Sequence, residues 1–120
     1  MRSDPRASLG RSGEETALDA YIGRGFGEVA RNWRCSIGEI DLVVQKGDLL
    51  VFCEVKTRTG SRFGGGYEAV TRAKQRKLRQ LAEVFLAASG SQHPTVRFDV
   101  ASVWLPRAGR PEVHLFEDAF

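Results

Sequence analysis

Ile37–Lys46 (IGEIDLVVQK), then Gly47-Asp48, then Leu49–Lys56 (LLVFCEVK) is the stretch whose reading decides the fold. Both runs alternate as strands do. Ile40, Leu42 and Val44 fall on one face of the first and Glu39, Asp41 and Val43 on the other, while Phe52, Glu54 and Lys56 share a side of the second. Gly-Asp between them fits a two-residue hairpin turn. With that turn Gln45 faces Leu50, and counting back sets Asp41 opposite Glu54 and Glu39 opposite Lys56. Directly opposed residues of antiparallel strands have Cβ atoms about 4.5–5.5 Å apart. Glu39, Asp41, Glu54 and Lys56 are therefore expected to crowd one small patch, with the Asp41 and Glu54 carboxylates converging beside the Lys56 ammonium.

Like charges facing each other are destabilising, and one of them tends to keep a proton. A hard divalent cation removes that cost, since Mg²⁺ or Mn²⁺ accepts carboxylate oxygens and keeps waters for chemistry. Lys56 would then orient a water or stabilise charge on a phosphate oxygen. The alternative is a solvated sheet face whose Glu–Lys pairs contribute little, and the hairpin alone does not choose between the two.

The chain has 120 residues, enough for one domain with a real core and too few for two ordinary ones. Hydrophobic content of 42% and charged content of 28% are those of a soluble globular protein. A net charge of +3 points only weakly to an anionic partner, but its placement says more. Between Arg58 and Arg79 stand Arg58, Arg62, Arg72, Lys74, Arg76, Lys77 and Arg79 against Glu68 alone, a concentration typical of a nucleic-acid-binding face. Cys35 and Cys53 make no disulfide framework; Cys53 alternates with Val51 and Val55 as a core thiol. His93 and His114 lack zinc-site spacing. No stretch has spanning length or the character of a signal peptide, so no membrane is expected and a cytoplasmic location is the default.

Residues 1–8 (MRSDPRAS) read as a disordered lead-in to a single domain over 9–120. A first helix is expected from near Leu9 to Arg24, ended by Gly25, with Glu14 on the same face as Ala17, Leu18 and Tyr21. A carboxylate on an apolar stripe either pairs with a basic group or is delivered to the acidic patch. Phe26–Arg34 leads into the first strand of the hairpin or forms a strand of its own, with Trp33 as packing. Thr59–Tyr67 (TGSRFGGGY) lacks the Gly-Lys-Ser/Thr ending of a phosphate loop and reads as a mobile loop with Arg62, Phe63 and Tyr67 as candidate contacts, although a plain surface linker is the commoner case. A second helix runs from N-cap Thr71 through Arg72–Ser89 to Gly90. Leu78, Leu81 and Phe85 are its buried stripe, and Arg72, Arg76 and Arg79 lie on another face, either solvated or gripping phosphates. Thr95–Leu105 and Glu112–Phe116 follow as strands, with Val96, Phe98, Val100 and Trp104 on one side of the former and Asp99 on the other, without an assigned role. The order of elements indicates an α/β sandwich with a central mixed sheet flanked by helices.

Asp41, then Glu54-x-Lys56 thirteen residues on, then a helix carrying Gln75, resembles the PD-(D/E)xK signature of restriction-endonuclease-like nucleases. With Glu14 upstream it is similar to archaeal Holliday-junction resolvases. The fuller string resembles the YraN-like family of endonuclease-like bacterial proteins: Gly13-Glu14, residues 30–34 (ARNWR), 38–42 (GEIDL), 51–58 (VFCEVKTR), 68–71 (EAVT), Lys74-Gln75 and 97–100 (RFDV). Asp…Glu-x-Lys alone would be a weak pattern; together these segments are specific.

The resemblance implies a restriction-endonuclease-like core and a metal-dependent endonuclease acting on DNA, including branched or structured DNA. Glu14, Asp41, Glu54 and the carbonyl of Val55 would be metal ligands for Mg²⁺ or Mn²⁺. Asp41, Glu54 and Lys56 would be catalytic, with Gln75 orienting the site or touching DNA. Arg58, Arg62, Arg72, Arg76 and Arg79 would bind the nucleic acid, and a resolvase-like enzyme would be a homodimer. Ile40 stands where the motif's name has proline. Glu39 has no role in the wider fold; it would pair with Lys56 or with an arginine of the second helix. Other readings are a non-catalytic nucleic-acid-binding module and a protein-interaction adaptor that has borrowed the fold.

Overall fold

Gly47, at φ 56, supplies the positive φ a tight hairpin needs, and around it Lys46 pairs with Leu49 and Gln45 with Leu50, as the count requires. The computed structural model describes residues 5–60, 70–90, 92 and 95–120, with side chains from Ser12 onward. Its elements are α1 (Pro5–Gly23), β1 (Gly27–Cys35), β2 (Gly38–Lys46), β3 (Leu49–Thr59), α2 (Arg72–Ser89), β4 (Thr95–Leu105) and β5 (Glu112–Phe116). The strands form one sheet in sequence order, β1-β2-β3-β4-β5. Neighbours are antiparallel except β3 and β4, which run parallel because the chain crosses over through α2.

The helices cover opposite faces. Ala17, Leu18 and Tyr21 of α1 pack with Leu42, Val44, Val51, Cys53, Ala101 and Val103. On the other side Leu78, Leu81, Ala82 and Phe85 of α2 pack with Ile40, Val43, Leu50, Phe52 and Phe98. Trp33 meets Phe85 edge-on at 5.2 Å, a packing residue as expected. The result is a three-layer α/β sandwich with a mixed central sheet. Helix α2 has its expected caps: Thr71 accepts from the Lys74 amide, and Gly90 closes the end in the left-handed region at φ 66.

The structure changes four readings. Helix α1 begins at Pro5, so it takes in residues 5–8, which the sequence assigned to a lead-in. Strand β3 continues three residues past Lys56 to Thr59, alongside the whole of β4. Asp99 turns from Phe98 as alternation requires, yet it is fully buried, because α1 covers that side of the sheet too. It accepts from the Tyr21 hydroxyl at 2.7 Å, the Arg97 guanidinium at 2.9 Å and the Asp118 amide at 2.9 Å.

The fourth change concerns β2. Ile40 packs toward α2, away from Leu42 and Val44, while Val43 joins Ile40 and parts from Glu39 and Asp41. Across the β1–β2 ladder Trp33 pairs with Ile40 and Ala30 with Val43, all on the α2 side. Both intervals are three residues, where unbroken alternation needs two or four. Alternation therefore breaks in both strands at Asn32 and Asp41, a slip of faces in which the pairing register holds, and Asn32 lies there at φ 52, a left-handed conformation Asn tolerates.

Candidate metal centre

The slip sets the site. The β2–β3 ladder runs from Lys46–Leu49 to Leu42–Cys53, and beyond it the strands part. At the fork the Val55 amide donates to Asp41 Oδ2 at 2.9 Å. Asp41 turns toward α1, while Glu54 follows the alternation of β3 toward α2. The common face expected for Asp41 and Glu54 is thus not what forms. The charge of Glu54 still acts on Asp41 across the fork.

Glu14 arrives from α1, and its delivery depends on Gly13. A Cβ at Gly13 would collide with the Thr57 hydroxyl and stand 3.1 Å from Thr57 Cβ. Only glycine lets the helix backbone lie this close to β3. Gly13→Ala, which by helix propensity alone would stabilise by about 1 kcal/mol, is expected instead to destabilise by about 1–3 kcal/mol through overpacking. Thr57→Ala in the same chain should recover part of the loss, and a double-mutant cycle by urea denaturation reads that coupling.

Glu14, Glu39 and Asp41 each bring a carboxylate oxygen within 4.8 Å of the other two. Burial, then the charge of Glu54, then those of Glu14 and Glu39, push Asp41 up to about 7 against the Val55 hydrogen bond. Burial also raises Glu14, opposed by a hydrogen bond from the Asn32 side chain. Glu14 is 7% exposed, and among the described residues its Oε2 has no hydrogen-bond partner. These are the properties of an acidic cluster held together short of positive charge.

The ammonium beside the carboxylates is Lys74, not Lys56. Lys74 Nζ lies 2.9 Å from Glu54 Oε1, and that hydrogen bond raises the Lys74 pKa. Lys56 is half-buried on β3 and, among the described residues, makes no side-chain ion pair. Glu39 pairs with neither Lys56 nor α2; its partner is Arg34 of β1, at 3.3 Å. Gln75 donates to the Val70 carbonyl at 2.9 Å and so fixes the entry to α2, beside Lys74. Arg72, Arg76 and Arg79 are all exposed on α2, and the Arg79 guanidinium also lies over Phe98 at 4.8 Å and Phe120 at 5.8 Å. Arg58 is half-buried near the end of β3, and Arg62 lies outside the described residues with Phe63 and Tyr67. Cys53 is a buried thiol whose pKa burial pushes up. Among the described residues no helix is long and apolar enough to cross a membrane.

Two participants escaped the sequence, Asn32 and Lys74, whereas Glu39 stands beside Asp41 as its alternation requires. Asn32 gives no local sign of a left-handed conformation inside a strand. Lys74 was visible only as one basic residue among many on α2.

A family model described as "Uncharacterised protein family UPF0102" matches residues 13–103, a span that opens on Gly13 and holds every carboxylate of the cluster. A UPF0102 protein of Clavibacter michiganensis subsp. michiganensis is 49% identical over 111 residues, covering 92% of this chain and 94% of its own. A UPF0102 protein of Mycolicibacterium vanbaalenii is 47% identical over 111 residues, 92% of each chain. Another, from Symbiobacterium thermophilum, is 47% identical over 112 residues, 93% of this chain and 95% of its own. Matched along nearly all of its length, the chain belongs to the UPF0102 family, the YraN-like proteins its motifs resemble.

Proposed function

We propose that this protein is a divalent-metal-dependent endonuclease acting on DNA. The observation that carries this reading is the partly buried carboxylate cluster at the fork of β2 and β3, with one Glu14 oxygen unpartnered among the described residues and Asp41 pushed up to about 7. Such a donor set, all oxygen and rich in negative charge, fits Mg²⁺ or Mn²⁺. Glu14, Asp41, Glu54 and the Val55 carbonyl would hold the ion. Bound there, it supplies Lewis acidity and neutralises charge developing on the scissile phosphate.

The chain's own residues do the rest. Lys56 donates to a phosphate oxygen and stabilises the developing negative charge. Lys74 leaves Glu54 free for the ion and turns its ammonium to the phosphate backbone. Gln75 holds the start of α2 so that Lys74 stays beside the site. Arg72 and Arg76, exposed on the same helix, grip phosphates together with Arg58. Paired incision across a junction would need two copies of the chain.

Labelled linear, flapped and four-way DNA incubated with Mg²⁺ or Mn²⁺ tests the reading: wild type cuts at least one of them and Asp41→Ala cuts none. Cleavage by neither would leave a binding module. Grip is separable from chemistry. Arg72→Ala with Arg76→Ala is expected to lower the slope of log K against log salt by roughly 1.8, about 0.9 for each phosphate no longer neutralised. Arg79→Ala should leave the slope nearly unchanged, because its guanidinium is engaged with Phe98 and Phe120. Fluorescence anisotropy across a salt series reads both.

A further inference from the structure

We infer that Glu39, which lies outside the Asp41…Glu54-x-Lys56 signature, is a cation ligand, and that the first divalent ion enters between Glu14, Glu39 and Asp41. The inference rests on the metal-site reading above and changes which residues meet the ion first.

The geometry favours this position. In an octahedral shell with metal–oxygen distances of about 2.1 Å, oxygens of adjacent ligands stand about 3.0 Å apart and those of opposite ligands about 4.2 Å. Glu14, Glu39 and Asp41 already offer oxygens within 4.8 Å of one another, so small side-chain rotations close the shell. An acidic cluster alone would be weak ground. Here Glu14, more than nine-tenths buried, reaches into the cluster with Oε2 unpartnered among the described residues, although a buried carboxylate oxygen ordinarily finds a donor.

Competition points the same way. An ion beside Glu54 must first displace Lys74, which sits 2.9 Å from a carboxylate only 13% exposed. Among the described residues, an ion beside Glu39 displaces only Arg34, at 3.3 Å and with its side chain 78% exposed, a pairing worth little. The Glu39 side chain is 34% exposed, which gives a hydrated ion a way in. The slip at Asn32 and Asp41 is what brings Glu39 and Asp41 to the α1 side, where Glu14 waits.

Calorimetric titration of the full chain with MnCl₂ at pH 7.5 tests the assignment. Glu39→Gln is expected to weaken the first Mn²⁺ by about tenfold or more, a larger loss than Glu54→Gln causes. Arg34→Gln, which removes the competing guanidinium, should tighten it about two- to threefold, a gain that misfolding cannot produce. Glu39→Gln binding Mn²⁺ like wild type, or Arg34→Gln binding it no tighter, overturns the proposal. If Glu54→Gln alone abolishes binding, this proposal falls and the endonuclease reading stands. If wild type binds no Mn²⁺, both fall.

Discussion

Asp99→Ala is expected to lower the unfolding free energy by about 3–5 kcal/mol, the usual cost of stranding one half of a buried ion pair. Asp99 is fully buried and accepts two hydrogen bonds from Arg97, whose side chain is 18% exposed, with others from the Tyr21 hydroxyl and the Asp118 amide. Alanine satisfies none of these donors. Arg97 keeps Glu117, at 3.8 Å, as its one carboxylate among the described residues, and Tyr21 loses its acceptor inside the core. Tyr21→Phe removes a single neutral donor and should cost about 1 kcal/mol. Urea denaturation measures both, and an Asp99→Ala loss below about 1 kcal/mol would mean that Arg97 escapes to solvent. The network also matters for the site. Tyr21 and Glu14 are seven residues apart on one face of α1, so the contact that anchors the helix to β4 helps hold Glu14 over the fork.

The second large effect is a dependence of stability on pH. Asp41 stands at about 7 in the folded protein against an ordinary value of 3.8, so between those values the native state keeps a proton that the unfolded chain has lost. Stability from this group is full at acid pH, falls as pH rises through that window and levels off above it. Glu14 is shifted in the same direction. The metal-free protein is expected to lose about 2 kcal/mol between pH 5 and pH 8, a value discounted for the coupling within the cluster. Asp41→Asn should flatten the profile. Urea midpoints across that range check it, and a wild-type curve rising steadily to pH 8 would contradict it.

Much of the fold was legible because its signals are local. Gly47-Asp48 fixes the hairpin register, Thr71 and Gly90 mark the ends of α2, and the apolar period separates β4 from β5. The site was legible in its members but not in their arrangement. Period-two alternation assumes an unbroken strand, and Asn32 breaks it in β1 and β2 together. That break sends Asp41 and Glu39 toward α1, while Glu54 keeps the alternation of β3 and faces α2. Asp99 was misjudged for a related reason: a strand with a helix on each side is buried on both faces, so the polar face of the pattern is not the wet one. Lys74 emerged only once α2 was laid against β3, since nothing in its local sequence sets it apart from the basic residues around it.

The fold holds Glu14, Glu39 and Asp41 together, partly buried, at a cost which a divalent ion offsets. Unfolding of wild type and Asp41→Asn at pH 8, each with and without Mn²⁺, tests it most directly. Without metal the variant should be more stable than wild type by about 1–2 kcal/mol, because the charge on Asp41 is unfavourable there. At about a hundred times its dissociation constant, Mn²⁺ should raise wild type by about 2.7 kcal/mol, and it should stabilise the variant far less. A variant less stable than wild type in both conditions, with Mn²⁺ moving neither, would contradict the account and leave Asp41 a structural acceptor for the Val55 amide.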